Sequence, residues 1–487
     1  MTQVSKIPSE FLKFSRPLRE HQRIALDRFS RQNEAALLWE MGTGKTTEAI
    51  ALLRWRYSCA GAVETTLIVT PKATLYNWVE EFELNSPEKV HSTTLVLDHK
   101  GAKRAVMLST KGKHIFIVNG EALDQKPFYE ALCKIRFDNF VLDEAHKFKS
   151  YKSKRLKKLL VITDKAQFRI VMTGTPLSGD SFEDVWAIWR ILDKGATFGT
   201  NFFTFREKYF RDKNAGMPSA IYFPDYVLKP EAIDEIPRLM AAKSSRITKE
   251  ECLDLPPLTF ETRFVGMTDE QAKAYKDMED EMVASVQAGE CAAVNALSKV
   301  SRLLQITSGY LPVEIEGEAA KYPIHFNDTP KMEALVDLLE ELTPAHKVIV
   351  WCTYRENYGP IGKLLEKMGI EYTELVGGTD DAQVNIKKFQ TDPKCRVMIA
   401  NEKAGGAGVN LTAASYSIYF SRTYSFLNRE QSESRNHRSG SEIHKKITII
   451  DLIVKGTIEE VVFASLKRKE KFSDNVLEII RALRKAA

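Results

Sequence analysis

Cysteine is scarce and scattered. The chain has six in 487 residues, at positions 59, 133, 252, 291, 352 and 395, with no C-x-x-C pair. That spacing argues for reduced thiols and against a disulfide framework or a structural zinc. No apolar run reaches the length of a membrane span, and the opening MTQVSKIPSEFLKF lacks the apolar centre of a secretory signal. A cytoplasmic protein with no membrane partner is expected. Internal repeats of fixed short period and long low-complexity tracts are also missing. Charge of one sign is not in large excess: 70 Lys and Arg face 65 Asp and Glu, a net +5 that neither demands nor excludes nucleic acid.

What is present is globular. The chain is 44% apolar and 28% charged, and its length implies two or three domains. Short β-branched runs ending in polar or glycine residues recur early, as TTLIVTP, HIFIVNG, NFVLDEAH and FRIVMTGTP. A second set follows much later, as HKVIVWCTY, CRVMIAN, SYSIYFS and KITIIDLI. Helical patterns separate them, so each set predicts βαβ units and a parallel sheet. One α/β lobe ends near 180 and another begins near 325. Between them, FEDVWAIWRIL and NFFTFREKYF carry aromatics at helical spacing, which read as core-facing stripes. LDLPPLTF (253–260) reads as an extended linker, because each proline disfavours helix before it. Two amphipathic helices then precede a loop at 312–330.

The chemistry-bearing stretches lie at predicted strand ends. In LLWEMGTGKTTEAI (37–50), Gly42 and Gly44 allow close backbone approach, and the following helix offers its positive end to an anion. Lys45 adds a point charge, while Thr46 offers a hydroxyl to Mg²⁺. The strict phosphate-loop pattern needs glycine where Trp39 stands, so a plain strand-to-helix turn is the competing reading. FVLDEAHKF puts Asp143 and Glu144 side by side at a strand end, where α/β proteins place ligand-binding residues. Mg²⁺ on Asp143 and a water activated by Glu144 explain such a pair, and so does a helix N-cap. TGTPL (173–177) is a strand-end turn that could sense a phosphate. AGGAGVNLTAAS (404–415) is a loop of small residues. QSESRNHRSG (431–440) spaces Arg435 and Arg438 so that both are expected on one helix face. Lys147–Lys158 holds seven basic residues in twelve and no acid; it is a solvated face or a phosphate-backbone contact.

In order, LREHQ, EMGTGKT, LIVTPKATLYNWVEEF, DEAHKFK, TGTPL, AGGAGVNLTAAS and QSESRNHRSG resemble the superfamily 2 helicase series, specifically the Snf2-type DNA translocases. ITKEECLDLPPLTFETRFVGMTDEQAKAY resembles that family's inter-lobe linker, and IIDLIVKGTIEEVVFASLKRKEKF its C-terminal brace. The resemblance covers residues 14–475. It implies an α/β fold of two RecA-like parallel-sheet lobes, with helical insertions between motifs III and IV. The implied domains are lobe one at 1–245 with a helical protrusion at about 180–245, a linker at 246–262, a helical protrusion at 263–325, and lobe two at 326–487 with its brace. ATP and Mg²⁺ are implied between the lobes, and double-stranded or branched DNA across both.

Carried over residue by residue, Gln22 reads adenine, and Gly42, Thr43, Gly44, Lys45, Thr46 and Thr47 hold the nucleotide. Thr46 and Asp143 take the Mg²⁺. Glu144 positions or deprotonates water, Gln431 lies near the γ-phosphate, and Arg435 and Arg438 are arginine fingers. Pro71, Lys72, Asn119, Asn410 and Thr412 touch the DNA backbone. Trp39, Thr43, the YFSRTYSFLNREQ stretch and the Ser-Gly-Ser ending of motif VI depart from the chromatin-remodelling members. With no chromatin-reading or zinc module, the chain is similar to short stand-alone members of bacteria and phages, or to the fork-remodelling branch. The expected activity is an ATP-dependent translocase or helicase on duplex or branched DNA, working as a monomeric motor in a bacterial cell or phage-infected host. The alternatives are a 3′→5′ strand-separating helicase and an ATP-gated clamp with little turnover.

Overall fold

A computed structural model describes residues 14, 17–98, 102–108, 112–174, 182–216, 224–252, 255–287, 293–314, 321–377, 381–403 and 409–468. The chain divides into two compact units, Met1–Leu253 and Asp254–Ala487, and each is built on its own parallel sheet.

In the first unit the strands are β1 (Glu34–Trp39), β2 (Thr66–Thr70), β3 (Thr94–Val96), β4 (Ile115–Asn119), β5 (Asn139–Leu142), β6 (Phe168–Met172), β7 (Phe210–Asp212), β8 (Tyr226–Leu228) and β9 (Ser244–Ile247). Seven of them form one sheet in the order β3-β4-β2-β5-β6-β1-β9, parallel throughout. β7 and β8 form a separate antiparallel hairpin. The central strands are apolar on both faces because helices cover both. Ala35, Leu37 and Trp39 face one core with Trp78 and Phe82. Ala36 and Leu38 face the other, with Trp186, Ile188 and Phe205 from the helices Asp184–Asp193 and Phe202–Tyr209. The aromatic stripes are therefore core, as their spacing predicts, with one exception: Phe203 is 57% exposed.

The second unit contains β10 (Leu258–Val265), β11 (Tyr310–Glu314), β12 (Lys321–His325), β13 (Val348–Trp351), β14 (Tyr372–Leu375), β15 (Val397–Ala400), β16 (Tyr416–Tyr419) and β17 (Ile447–Val454). Its six-stranded sheet runs β10-β17-β16-β13-β15-β14, again all parallel. The helices Asp269–Gln287 and Ala293–Thr307 form where amphipathic periodicity places them. Tyr275, Val300, Leu303 and Leu304 pack with Ile458 and Val462 of the helix Ile458–Lys467. Lys331 and Glu459, both 1% exposed, pair beneath them.

Two segments differ from the sequence reading. The stretch 246–262 is not a free tether: β9 completes the first sheet at its start, and β10 joins β17 as an edge strand at its end. Pro256 and Pro257 do exclude helix, but the Thr, Phe and Val residues that follow suit a pleated edge. The expected loop at 312–330 begins inside a hairpin, β11 with β12, in which Pro312 lies opposite Pro323. Proline is tolerated there because a two-stranded ribbon consists of edges, and the same prolines hide the strand signal in the sequence.

Candidate functional site

The loop after β1 forms a compact cradle. Gly42 and Gly44 have φ of 84° and 91°, and Gly44 leads into the helix Lys45–Ala60. The conformation of Gly44 requires glycine, and a Cβ there would come within 2.8 Å of Gln22 Nε2 and displace that amide. Gln22 is buried in the helix Glu20–Phe29. Its Nε2 donates to Gly44 O at 3.2 Å, and its Oε1 accepts from Arg19 N at 2.9 Å. Gln22 is thereby fixed against the loop. Thr43 Oγ1 donates to Glu40 O at 2.7 Å, and Thr47 Oγ1 to Glu81 Oε2 at 3.3 Å. Thr46 stands half-buried in the first helical turn, where a hydroxyl can face an anion-bound cation. Lys45 Nζ donates to Trp39 O at 2.8 Å and Glu40 O at 3.0 Å. Trp39 itself is fully buried; its indole donates to Ser245 Oγ at 3.0 Å and its ring meets His21 edge-on at 5.0 Å. The departure from the strict phosphate-loop pattern is thus a packing residue joining β1 to β9, and the loop keeps its shape.

Asp143 and Glu144 follow β5. Asp143 Oδ2 accepts from Thr70 Oγ1 at 2.8 Å and from Trp78 Nε1 at 3.3 Å, and Oδ1 accepts from Glu144 N at 3.0 Å. Burial and the charge of Glu144 push its pKa up, against the Thr70 hydrogen bond, Lys45 and Trp78. A buried carboxylate in that situation favours a cation beside it. Hydroxyl and carboxylate oxygens, from Thr46 and Asp143, are the donor chemistry Mg²⁺ takes alongside water and phosphate. The residues fit the ion.

Glu144 behaves oppositely. Burial alone raises its pKa, but His146, by hydrogen bond and charge, then Lys45 and Lys147, outweigh that and hold it well below the usual carboxylate range. His146 Nδ1 lies 3.2 Å from Glu144 Oε2 and 3.2 Å from Thr173 Oγ1. Glu144 also has left-handed backbone, φ 50°. The helix N-cap alternative for this pair does not hold: the Glu144 side chain makes no capping bond to the 3₁₀ turn Ala145–Phe148 that follows it. The helix Leu75–Asn85 joins the two, since Trp78 on it donates to Asp143 and Glu81 on it accepts from Thr47, so cradle and acid pair are one site within the first unit. Thr70, Trp78 and His146 were not assigned roles from the sequence. Trp78 and His146 sit inside motif stretches, but their partners are set by tertiary packing. Of TGTPL, only Thr173 and Gly174 lie among the described residues.

In the second unit the expected arginine face takes another form. The helix Phe426–Glu433 ends at Ser434, so Arg435 and Arg438 lie in the turns after it and not on a helix face. Ser432, Ser434 and Asn436, residue types that compete for backbone hydrogen bonds, explain the stop. Gln431 and Arg435 are buried, at 7% and 4% exposure. Leu411 N donates to Arg435 O at 3.0 Å, and Arg438 Nη1 to Val409 O at 3.2 Å, so motif VI backs onto the segment after the small-residue loop. Residues 404–408 of that loop lie outside the described residues, as do 469–475 of the expected brace. A scaffold unnoticed in the sequence supports the arginines. Arg429 grips Asp451 through two bonds of 2.7 and 2.9 Å and stacks on Tyr419 at 3.5 Å.

The five expected DNA contacts separate by burial. Lys72 and Asn410 are exposed, whereas Pro71, Asn119 and Thr412 are buried. Asn119 Nδ2 donates to Glu121 Oε2 at 2.7 Å, which engages that amide with a neighbouring carboxylate. In the basic run, Lys149 pairs with Asp184 at 2.6 Å, Arg155 with Asp124 at 2.7 Å and Lys158 with Asp124 at 3.8 Å. Lys147, Lys152, Lys154 and Lys157 are exposed and form no ion pair among the described residues.

A glycine cradle with a buried lysine beside two strand-end acids, on a parallel sheet with a second parallel-sheet unit following, defines the class of two-unit phosphate-loop proteins. The chain belongs to the SNF2-related family: residues 21–309 match the SNF2-related domain, and residues 330–440 match the helicase conserved C-terminal domain. That family is one of ATP-dependent helicase-type enzymes using ATP with Mg²⁺. The chain is 26% identical over 468 residues to the ATP-dependent helicase fft1 of Schizosaccharomyces pombe, covering 86% of this chain and 48% of that protein. It is 24% identical over 446 residues to the chromodomain-helicase-DNA-binding protein 1-like of Danio rerio, covering 90% and 41%. It therefore spans about half the length, or less, of these curated relatives. Among solved structures, the Sulfolobus solfataricus SWI2/SNF2 ATPase core in complex with dsDNA is 23% identical, with 97% of each chain covered and a TM-score of 0.44.

Proposed function

We propose that this protein is an ATP-hydrolysing motor that moves along duplex or branched DNA and remodels forks or migrates junctions, working as a single chain. The observation that carries the reading is the placement of the glycine cradle and of Asp143 and Glu144 against one helix, Leu75–Asn85, with His146 Nδ1 3.2 Å from the buried Glu144 carboxylate. A pure clamp does not need an ionised carboxylate positioned for water. Relatives whose names describe ATP-dependent helicases support the same reading.

Hydrolysis then follows from these residues. Lys45 exchanges its two loop carbonyls for the β- and γ-phosphate oxygens, and Gln22 offers its amide to the base. Thr46 and Asp143 would hold Mg²⁺, which would neutralise charge on the phosphates. Glu144 orients the attacking water and takes its proton, and His146, within reach of both Glu144 and Thr173, holds that carboxylate in place. Arg435 and Arg438 are our candidates for the arginine fingers with which such enzymes stabilise charge on the transferring phosphoryl group.

A strand-separating helicase needs a wedge. The hairpin β11–β12 is the candidate for one, but the residues that connect its strands in the sequence include Glu316 and Glu318 and follow Glu314. An acidic connection of that kind is repelled by DNA phosphates, which favours translocation over unwinding. The test is ATP hydrolysis measured with no DNA, single strands, blunt duplex and a four-way junction. Duplex and junction should stimulate above single strands, with junction movement and little unwinding. Stimulation by single strands alone, with processive unwinding of a tailed duplex, would favour the helicase. Turnover unaffected by any DNA would end the motor reading.

A further inference from the structure

The exposed Phe203 belongs to a built surface. It opens the helix Phe202–Tyr209, where Asn201 Oδ1 accepts from Phe203 N at 2.8 Å and fixes the first turn. Its neighbour Phe202 is buried, stacked on Tyr151 at 3.7 Å between ring centroids with 12° between planes, and met edge-on by Trp186 at 5.5 Å. Tyr151 meets Phe203 edge-on at 5.7 Å. The Arg206 guanidinium lies 3.9 Å from the centre of the Tyr226 ring and 5.3 Å from that of Phe203. Lys152 Nζ sits 5.6 Å from the centre of the Tyr151 ring. The result is a ledge of aromatic faces and cations, with Phe203 57% exposed at its lip.

Its charge indicates its occupant. Of the acids around it, Glu183 and Asp184 are engaged by Arg206 and Lys149, while Glu207, one helical turn on from Phe203, is exposed at the edge of the ledge. Lys152, Lys154 and Lys157, exposed and outside any ion pair among the described residues, continue the positive surface along the helix Lys154–Thr163. A ligand that offers both a flat π-face and phosphate charge is a nucleotide out of its base pair. Intact duplex hides its base faces within the stack, so this ledge suits an unpaired base at a branch point or strand end.

We propose that Phe203, with Tyr151, Arg206 and Lys152, is a stacking site for an unpaired nucleobase, and that it gives the motor its preference for branched over plain duplex DNA. The site rests on the DNA reading above. It is also joined covalently to the chemistry: Tyr151 lies seven residues after Glu144, through the 3₁₀ turn Ala145–Phe148. Phe148 in that turn packs so closely on Gly120 that a Cβ there would meet its ring at 2.8 Å.

The experiment uses the full chain with two probes: a fork carrying 2-aminopurine in its unpaired arm, and a blunt duplex of equal length. Wild type should bind the fork more tightly and quench the aminopurine. Phe203→Ala should lose the quench and weaken fork affinity roughly tenfold or more, the scale of a lost base–aromatic stack. Its blunt-duplex affinity and duplex-stimulated hydrolysis should not change, which also shows that it folds. Phe203→Trp should restore quench and affinity. Three results overturn the ledge: wild-type behaviour of Phe203→Ala on the fork, which would leave the surface to a protein partner; equal losses on fork and duplex, which would make it a backbone contact; or failure of Phe203→Trp to restore stacking. Failure of the motor reading is seen separately, as wild-type hydrolysis indifferent to every DNA.

Discussion

Lys45 Nζ donates to the carbonyl oxygen of Trp39 at 2.8 Å, and so the lysine that should hold phosphate is held by the strand that presents it. Nucleotide must compete with two backbone acceptors for this ammonium. Lys45→Ala should weaken ATP binding roughly 10- to 150-fold, the range for a charged hydrogen-bonding group, and turnover should fall below detection. Titration with a fluorescent ATP analogue measures the first effect and phosphate release the second.

Glu144 should matter to turnover and not to binding. Removing a carboxylate that acts on water affects the transition state more than the ground state. Glu144→Gln should keep nucleotide affinity within a few-fold and lower kcat by roughly 10² or more, as for a lost general base. His146→Ala, which leaves Glu144 in place but unsupported, should give a smaller loss in kcat with KM little changed. Single-turnover kinetics separate the two.

Arg438→Ala should reduce turnover by on the order of 10³ while DNA affinity stays near wild type, if it serves phosphoryl transfer. Arg438→Lys should not rescue, because an ammonium lacks the planar fork. A variant that hydrolyses normally but releases DNA would mark the arginine as a DNA contact.

The basic run should divide by partner. Neutralising Lys147, Lys152, Lys154 and Lys157 together should flatten the salt dependence of duplex binding, by about one log unit of slope for each phosphate the protein no longer neutralises. Neutralising Lys149 and Lys158, which are already paired, should change the slope little. Binding isotherms across a salt series decide between the two sets.

Glu402 sets a pH dependence in the second unit. It is buried beneath Thr353 and Thr423, which hydrogen-bond one of its oxygens, and burial raises its pKa from 4.5 to about 7 against the pull of Arg429 and Arg422. The native unit therefore holds a proton that the unfolded chain releases between pH 4.5 and 7. Stability should fall as pH rises through that window, by up to about 3 kcal/mol, and level off above it. Glu402→Gln should reduce the slope, leaving the share that the raised Asp143 contributes in the first unit, as read from denaturant unfolding of the full chain at pH 5 and pH 8.

Legibility in the sequence followed the physical range of each signal. The two sheets were readable because β-branched runs and their polar ends are local. The cradle was readable because Gly42, Gly44 and Lys45 are adjacent, and Asp143 and Glu144 declare themselves by being two acids at an apolar strand end. What escaped depends on distant partners. Trp39 looked like a flaw until Ser245, 206 residues on, accepted its indole hydrogen. The hairpin at Tyr310–His325 was masked by Pro312 and Pro323. Arg435 and Arg438 were misplaced by one turn, since spacing alone assumes a helix that Ser434 and Asn436 end. Phe203 was counted with the aromatic run, although it lies off the stripe of Phe202, Phe205 and Tyr209.

The place of β1 in its sheet also fixes when the first unit can become competent. β1 spans Glu34–Trp39, yet its two neighbours are β6 at Phe168–Met172 and β9 at Ser244–Ile247. Glu40, at the root of the cradle, receives backbone partners from the same late segment: its N–H donates to Ile247 O at 2.9 Å, and its carboxylate accepts from Lys249 N at 3.0 Å. A nascent chain carries the phosphate loop almost from the outset but lacks the walls that shape it until some 210 further residues have emerged. Pairings of such long sequence separation form late because their loop closure must be met first. Nucleotide capture is therefore a late event in this protein's synthesis, and a ribosome-bound chain halted before Ser244 should carry a phosphate loop that does not yet bind ATP.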